Sequence, residues 1–157
     1  MIRFTDYYNN EVQLSFENQP FSMEPKHVWV ICQYKDQWLL TRHLDRGIEF
    51  PGGKVEEQEL AEEAAVREVN EETGGIVKQI TYIGQYYVTG KSSNIIKNIY
   101  FARIEKLEKH PHYFETDGPV LLDDIPKDLE RDASFSFMMK DRILPESLER
   151  INQLKLL

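Results

Sequence analysis

With one cysteine in 157 residues, the chain has no second thiol for an internal disulfide. Cys32 lies in the apolar run Val28-Trp29-Val30-Ile31-Cys32, which marks it as a buried thiol rather than a nucleophile. No stretch approaches the roughly 18 apolar residues of a membrane span. Met1 to Asp6 also lacks the apolar core of a signal peptide, so no membrane association and a cytoplasmic location are expected. Linkers rich in Pro, Gly or Ser, internal repeats and low-complexity tracts are missing too, which predicts a single domain over residues 1–157. Basic residues are the scarcer charge: 19 Lys and Arg stand against 27 Asp and Glu, giving a net charge of −8. Extended duplex nucleic acid is therefore a disfavoured partner. A nucleotide or an RNA 5′ end is not, because a bound cation reverses the field over a few ångströms. Oligomeric state stays open.

What the chain does contain is enough apolar material, 41% of residues, to bury a core without covalent staples. Short strands are predicted at Val12 to Phe16, His27 to Tyr34 and Trp38 to His43, the last two joined by the turn Lys35-Asp36-Gln37. After the breaker Pro51-Gly52-Gly53, a helix is expected from about Gln58 to Thr73, stopped by Gly74-Gly75. Ile80 to Thr89 and Ile95 to Ile104 are rich in β-branched and aromatic residues, and a short strand follows at Val120 to Leu122. The tail from Phe135 to Leu157 has helical composition, with Pro145 expected at the start of its last piece. Strands flanked by helices predict a layered, mixed α/β fold.

The helix from Gln58 to Thr73 carries the chemistry. At about 100° per residue, with Glu68 at zero, Glu71 lies near −60° and Glu72 near +40°. Ala61, Ala64 and Ala65 share that sector, so the three carboxylates are predicted to face the protein body. Glu59, Glu63, Asn70 and Thr73 fall on the opposite face, read as solvated. Like charges at i,i+3 and i,i+4 repel, and the helix C-terminus disfavours anions, each at roughly a few tenths to 1 kcal/mol. A cation removes that conflict. An all-oxygen donor set selects hard ions, Mg²⁺ or Mn²⁺. Zinc is not expected, since His27, His43, His110 and His112 form no pair at helical ligand spacing.

The order Gly53, Glu59, Arg67-Glu68-Val69-Asn70-Glu71-Glu72-Thr73-Gly74-Gly75 resembles the Nudix box, G-x5-E-x7-R-E-U-x-E-E-x-G-U, where U is a bulky aliphatic residue. Every charged and glycine position matches, and only the last U departs, as Gly75. Segments outside the box, including Phe50-Pro51-Gly52-Gly53-Lys54-Val55-Glu56 and Lys97-Asn98-Ile99-Tyr100-Phe101, are similar to MutT-like Nudix proteins of bacilli over nearly the whole chain.

The resemblance implies a Nudix fold, a mixed β-sheet sandwiched between helices. It implies an Mg²⁺- or Mn²⁺-dependent pyrophosphohydrolase acting on nucleoside triphosphates, including oxidised guanine nucleotides, or on RNA 5′-triphosphate ends. A nucleotide-sensing module without turnover is the rival reading, for which replacement of Glu68, Glu71 or Glu72 would be expected. Metal ligation would fall to Glu68, Glu71, Glu72 and the carbonyl of Gly52, with Glu115 as a distal acidic ligand and Asp117 as its rival. Glu68 would also activate water, Arg67 would orient the carboxylates, and Glu59 would pair with Arg67. Lys54, Arg42 and Arg46 are candidates for phosphate contact. Phe50, with Tyr86 as a weaker choice, is a candidate for stacking on a base.

Overall fold

The computed structural model describes all residues from Met1 to Leu157. Nine strands form one sheet: β1 (Ile2–Thr5), β2 (Glu11–Ser15), β3 (His27–Tyr34), β4 (Gln37–His43), β5 (Gly47–Glu49), β6 (Gly52–Lys54), β7 (Gly75–Thr89), β8 (Asn94–Leu107) and β9 (Thr116–Leu122). The main path runs β1-β2-β7-β8-β3-β4-β5, with β6 paired to β3 and β9 to β4. Only β3 and β8 run parallel, in the register His27 to Lys97 through Tyr34 to Ile104. The sheet is mixed, as predicted.

Two helices cover it, α1 (Ala61–Thr73) and α2 (Ile143–Gln153). Alternation along β3 decides which core each strand residue enters. Trp29 and Ile31 join Ile83, Ile99, Phe101 and the apolar face of α2. Val28, Val30 and Cys32 turn the other way, onto Ala64, Ala65 and Val69 of α1. A sheet sandwiched between helices follows from that period of two. Cys32 is fully buried, as its surroundings in sequence require.

Several boundaries differ from expectation for local reasons. Helix α1 starts at Ala61, not near Gln58: Gln58 has φ +62°, outside the helical region. Leu60 has no capping oxygen, so Glu63 closes the first turn by accepting the Leu60 N–H at 2.9 Å. The helix ends at Gly74, whose φ of +77° suits glycine and whose N–H reaches Asn70 O. The tail from Phe135 is less helical than expected, since only a short 3-10 turn at Phe137–Met139 precedes α2. Pro145 sits at the third position of α2, where its missing N–H has no intrahelical acceptor to lose. Strands β1, β5 and β6 were not anticipated; three- and four-residue strands carry too little periodicity to read. No helix is long and apolar enough to cross a membrane.

Candidate active site

Strand β6 and helix α1 face each other across the mouth of a cleft of about 650 Å³. The glycines of β6 permit the approach. A Cβ at Gly53 would lie 2.5 Å from Glu68 Cδ and 2.6 and 2.7 Å from its carboxylate oxygens. A Cβ at Gly52 would collide with the Val28 carbonyl. The loop backbone can therefore lie directly against the carboxylates of α1.

Glu72 is buried, and its Oε1 accepts the Gly52 N–H at 2.9 Å. Burial pushes its carboxyl up to about 8 despite that hydrogen bond. Burial likewise raises Glu68 to about 7, against the opposing pull of Arg67. Glu71 stands at the edge of the same face. Arg67 gathers the group. Its Nε and Nη2 donate to Glu59 at 2.8 and 3.0 Å, its Nη1 donates to Glu68 at 2.8 Å and to Glu71 at 3.1 Å, and Nη2 also reaches Lys54 O at 2.9 Å. The hydrogen bond from Arg67 holds Glu59 below the usual carboxylate range. Glu59 is thus part of the cluster, not the solvated position its helical phase suggested. It precedes the helix, so that phase does not apply to it.

Thr73 corrects the same reading. It is fully buried, with its hydroxyl donating to Val69 O and accepting the Gly75 N–H. The buried sector of α1 therefore extends further round the helix than Glu68, Glu71 and Glu72 imply. Gly75 explains its own departure from the box. A Cβ there would lie 3.0 Å from Thr73 Oγ1, 3.1 Å from Val69 Cγ1 and 3.2 Å from Leu39 Cδ2, so a larger side chain would have to push these neighbours aside, and glycine fits the packing as it stands.

Glu115 reaches the cleft from a distant loop, and Asp117 does not line it. The loop is fastened to the end of α1. Phe114 N donates to Glu71 O at 3.4 Å, and the hydroxyls of Thr116 and Thr41 donate to Glu72 O at 3.1 and 3.0 Å. Between these anchors Glu115 adopts φ +62°.

No three acidic, thiol or imidazole side chains already stand at ligand distances around one point. Glu68 and Glu71 are instead turned toward Arg67, and Glu72 toward Gly52. The donor chemistry nonetheless fits a hard divalent ion: oxygen ligands only, the buried Glu72 and the partly buried Glu68 both with raised pKa values, beside two glycines that lack Cβ atoms.

The same cleft has cations in its lining. Lys54 and Arg46 line it, together with His27 and Lys97, which sequence reasoning missed. Lys97 is half-buried, has no carboxylate within ion-pair distance, and is lowered to about 8 by burial. Burial, then Lys97 and Lys54, lowers His27. Parallel pairing places His27 and Lys97 side by side, a signal that only strand register could supply. Arg46 is already gripped by the buried Glu49, through Nε at 2.9 Å and Nη2 at 2.8 Å.

Two expectations fail. Phe50 cannot stack on a base, because it is fully buried with its ring edge-on to Trp29 and Trp38 at 5.9 and 6.1 Å. Arg42 projects to solvent between the buried Thr41 and His43 and does not line the cleft. Tyr86 is also core, buried beneath Lys97.

A helix that presents clustered glutamates to a glycine loop, on a mixed sheet between two helices, defines a class. The chain belongs to the Nudix family, whose domain model matches residues 23–136, and it is a hydrolase of that family. Nudix hydrolases generally need divalent metal ions. The chain is 62% identical over 153 residues to a Bacillus subtilis (strain 168) protein named "Putative 8-oxo-dGTP diphosphatase YtkD", covering 98% of this chain and 97% of that one. It is 61% identical to the B. subtilis pyrophosphohydrolase BsRppH, solved with one glutamate replaced by alanine, at a TM-score of 0.97 and coverage of 98% and 97%. A Nudix hydrolase from Nitrosomonas europaea, 17% identical with a TM-score of 0.65 over 83% of this chain and 90% of that one, shares the fold.

Proposed function

We propose that this cleft hydrolyses the 5′-triphosphate group of a nucleotide, with Mg²⁺ or Mn²⁺, to a monophosphate and pyrophosphate. The observation that carries this reading is that the α1 carboxylates and the ammonium groups of Lys54 and Lys97, neither in an ion pair, line one cleft. Glu68, Glu71 and Glu72, with Glu115 and the Gly52 carbonyl, would hold the ion. When bound, the ion neutralises phosphate oxygens and lowers the pKa of water. Glu68 accepts the proton of the attacking water, whose oxygen bonds in line to phosphorus. The anhydride P–O bond breaks, and its electron pair leaves with pyrophosphate. Arg67, fixed by Glu59, keeps Glu68 and Glu71 oriented. Lys54 and Lys97 bind phosphate oxygens, whereas Arg46, spent on Glu49, shapes the wall between them.

A free nucleoside triphosphate, including an oxidised guanine nucleotide, fits the name of the YtkD relative. An RNA 5′ end fits the same chemistry and is favoured by one further observation: the cleft is bounded by Phe137, whose ring continues into exposed aromatics outside it. The same reading takes residues 1–157 as one Nudix domain that works in the cytoplasm, where both substrates are found. Initial rates on GTP, 8-oxo-dGTP and short 5′-triphosphorylated RNAs, with Mg²⁺ or Mn²⁺, test the reading. Turnover of at least one, abolished by chelation, is expected; none on any of them rejects it.

A further inference from the structure

The loop that carries Arg46 into the cleft is tied down by an imidazole. Strands β4 and β5 pair as a hairpin, Arg42 with Ile48 and His43 with Gly47, and Leu44-Asp45-Arg46 turns between them. His43 is buried. Its Nδ1 accepts the N–H groups of both Asp45 and Arg46, each at 3.1 Å, and these two N–H groups have no other acceptor in the protein. The ring proton therefore sits on Nε2, and Nδ1 plays the part that an Asn or Asp side-chain oxygen plays in an ordinary turn.

The loop meets the cleft at both of its ends. At the first, Leu44 donates its N–H to the Glu115 carbonyl at 3.3 Å. That bond lies where the pairing of β4 with β9 shifts register, between Thr41–Pro119 and His43–Thr116. At the second, Arg46 holds Glu49 through two N–H groups at 2.9 and 2.8 Å, and both residues line the cleft. The hydrogen bond to Glu49 raises the pKa of the Arg46 guanidinium, and the charges of Glu49, Glu72 and Glu115 add to it. Arg46 thus stands in the field of two of the proposed metal ligands.

We propose that His43 is a positioning residue: by accepting these two N–H groups it sets the loop that keeps Arg46 on the cleft wall and holds the backbone of Glu115. The proposal rests on the reading above, in which Glu115 is a metal ligand and the cleft takes a triphosphate. His43 itself does not line the cleft, so its effect passes through the backbone. Without the acceptor, both N–H groups must turn to water, and the loop conformation that presents Leu44 and Arg46 is no longer favoured. A ligand shifted by a fraction of an ångström then binds its ion less tightly.

The test compares the native chain with His43→Leu, which fills the space without an acceptor, and His43→Asn, whose Oδ1 stands where Nδ1 does. The Mn²⁺ affinity of each substrate-free protein is read from the electron paramagnetic resonance signal of the free ion. KM and kcat follow at saturating Mn²⁺, on whichever of GTP and 5′-triphosphorylated RNA the native chain turns over. Melting curves fix a temperature at which all three are folded. His43→Leu should weaken Mn²⁺ binding by about 3- to 10-fold and raise KM by a similar factor, with a smaller change in kcat. His43→Asn should stay within about twofold of native in both. A leucine variant that binds Mn²⁺ as tightly as the native chain overturns the proposal, as does an asparagine variant equally impaired, or a fall in kcat with KM unchanged. A native chain that binds Mn²⁺ but turns over neither substrate overturns the triphosphate reading alone, and the Mn²⁺ affinities still decide on His43. A native chain that binds no Mn²⁺ overturns both.

Discussion

The two walls of the cleft are built in opposite ways. The acidic wall comes from one continuous stretch, Gly52 to Gly74, in which a loop and a helix place their groups by local geometry. Of the cations, only Lys54 belongs to that stretch; the others come from β3, β8 and the loop before β5, none of which shows its purpose alone. The acidic side is also crosslinked, with Arg67 bonded to three glutamates, while Lys97 has no charged partner. One wall is organised around its own charges, and the other presents charge for something that arrives. The comparison implies that changes to the acidic wall should strike turnover, and changes to the cationic wall should strike substrate affinity.

The largest effect is expected from Glu68→Gln, which on the proposed reading removes a ligand and the proton acceptor together; kcat should fall by about 10³-fold. Phosphate release with Mn²⁺ and Mg²⁺ checks it, and undiminished turnover would reject the assigned role. Gly53→Ala comes next. Its methyl group would displace the Glu68 carboxylate, so kcat should fall by roughly 10²-fold. A circular-dichroism melt would show whether the fold survives the change.

Ionisation of the acidic wall gives a third measurement. In the ion-free protein Glu68 and Glu72 titrate near 7 and 8, above the ordinary glutamate value of 4.5 that the unfolded chain retains. Between those values the folded state binds more protons than the unfolded one, so stability falls as pH rises from about 5 and the penalty is full above pH 8. A divalent ion takes the place of those protons. The gain in Tm on adding Mn²⁺ should therefore be several degrees larger at pH 8.5 than at pH 6. A gain that is flat or reversed with pH contradicts the assignment of these two acids as ligands.

The cationic wall is probed by Lys97→Met, which should raise KM for a triphosphate substrate by about tenfold with a smaller change in kcat. A pure kcat defect would move Lys97 to the chemical step. Arg42→Ala should change kcat/KM less than about twofold, since the side chain projects away from the cleft.

The same contrast explains what could be read from the sequence. The carboxylates of α1 were legible because 3.6-residue periodicity converts spacing into direction, and because the loop glycines stand next to them. The long strands were legible from β-branched and aromatic runs. Thr73 and Glu59 were misassigned because a helical wheel knows neither the width of the buried face nor where the helix begins. Phe50 resembled a ligand-facing aromatic beside the glycine loop, yet only tertiary packing shows it clasped by Trp29 and Trp38. Lys97 and His27 are 70 positions apart in sequence and adjacent only through a parallel register. Glu115 was found by its place in the resemblance; its approach to the helix depends on hydroxyl bonds that no periodicity encodes.

Those hydroxyl bonds tie separate parts of the molecule to a single oxygen atom. The Glu72 carbonyl accepts a hydrogen bond from Thr116 and lies within reach of the Thr41 hydroxyl, which it shares with the Gly118 carbonyl, so β4, β9 and the last turn of α1 meet at one point. On the proposed reading, a displacement of Glu115 would be felt at the turn that carries Glu71 and Glu72, because Phe114 and Thr116 on either side of it are bonded to that turn.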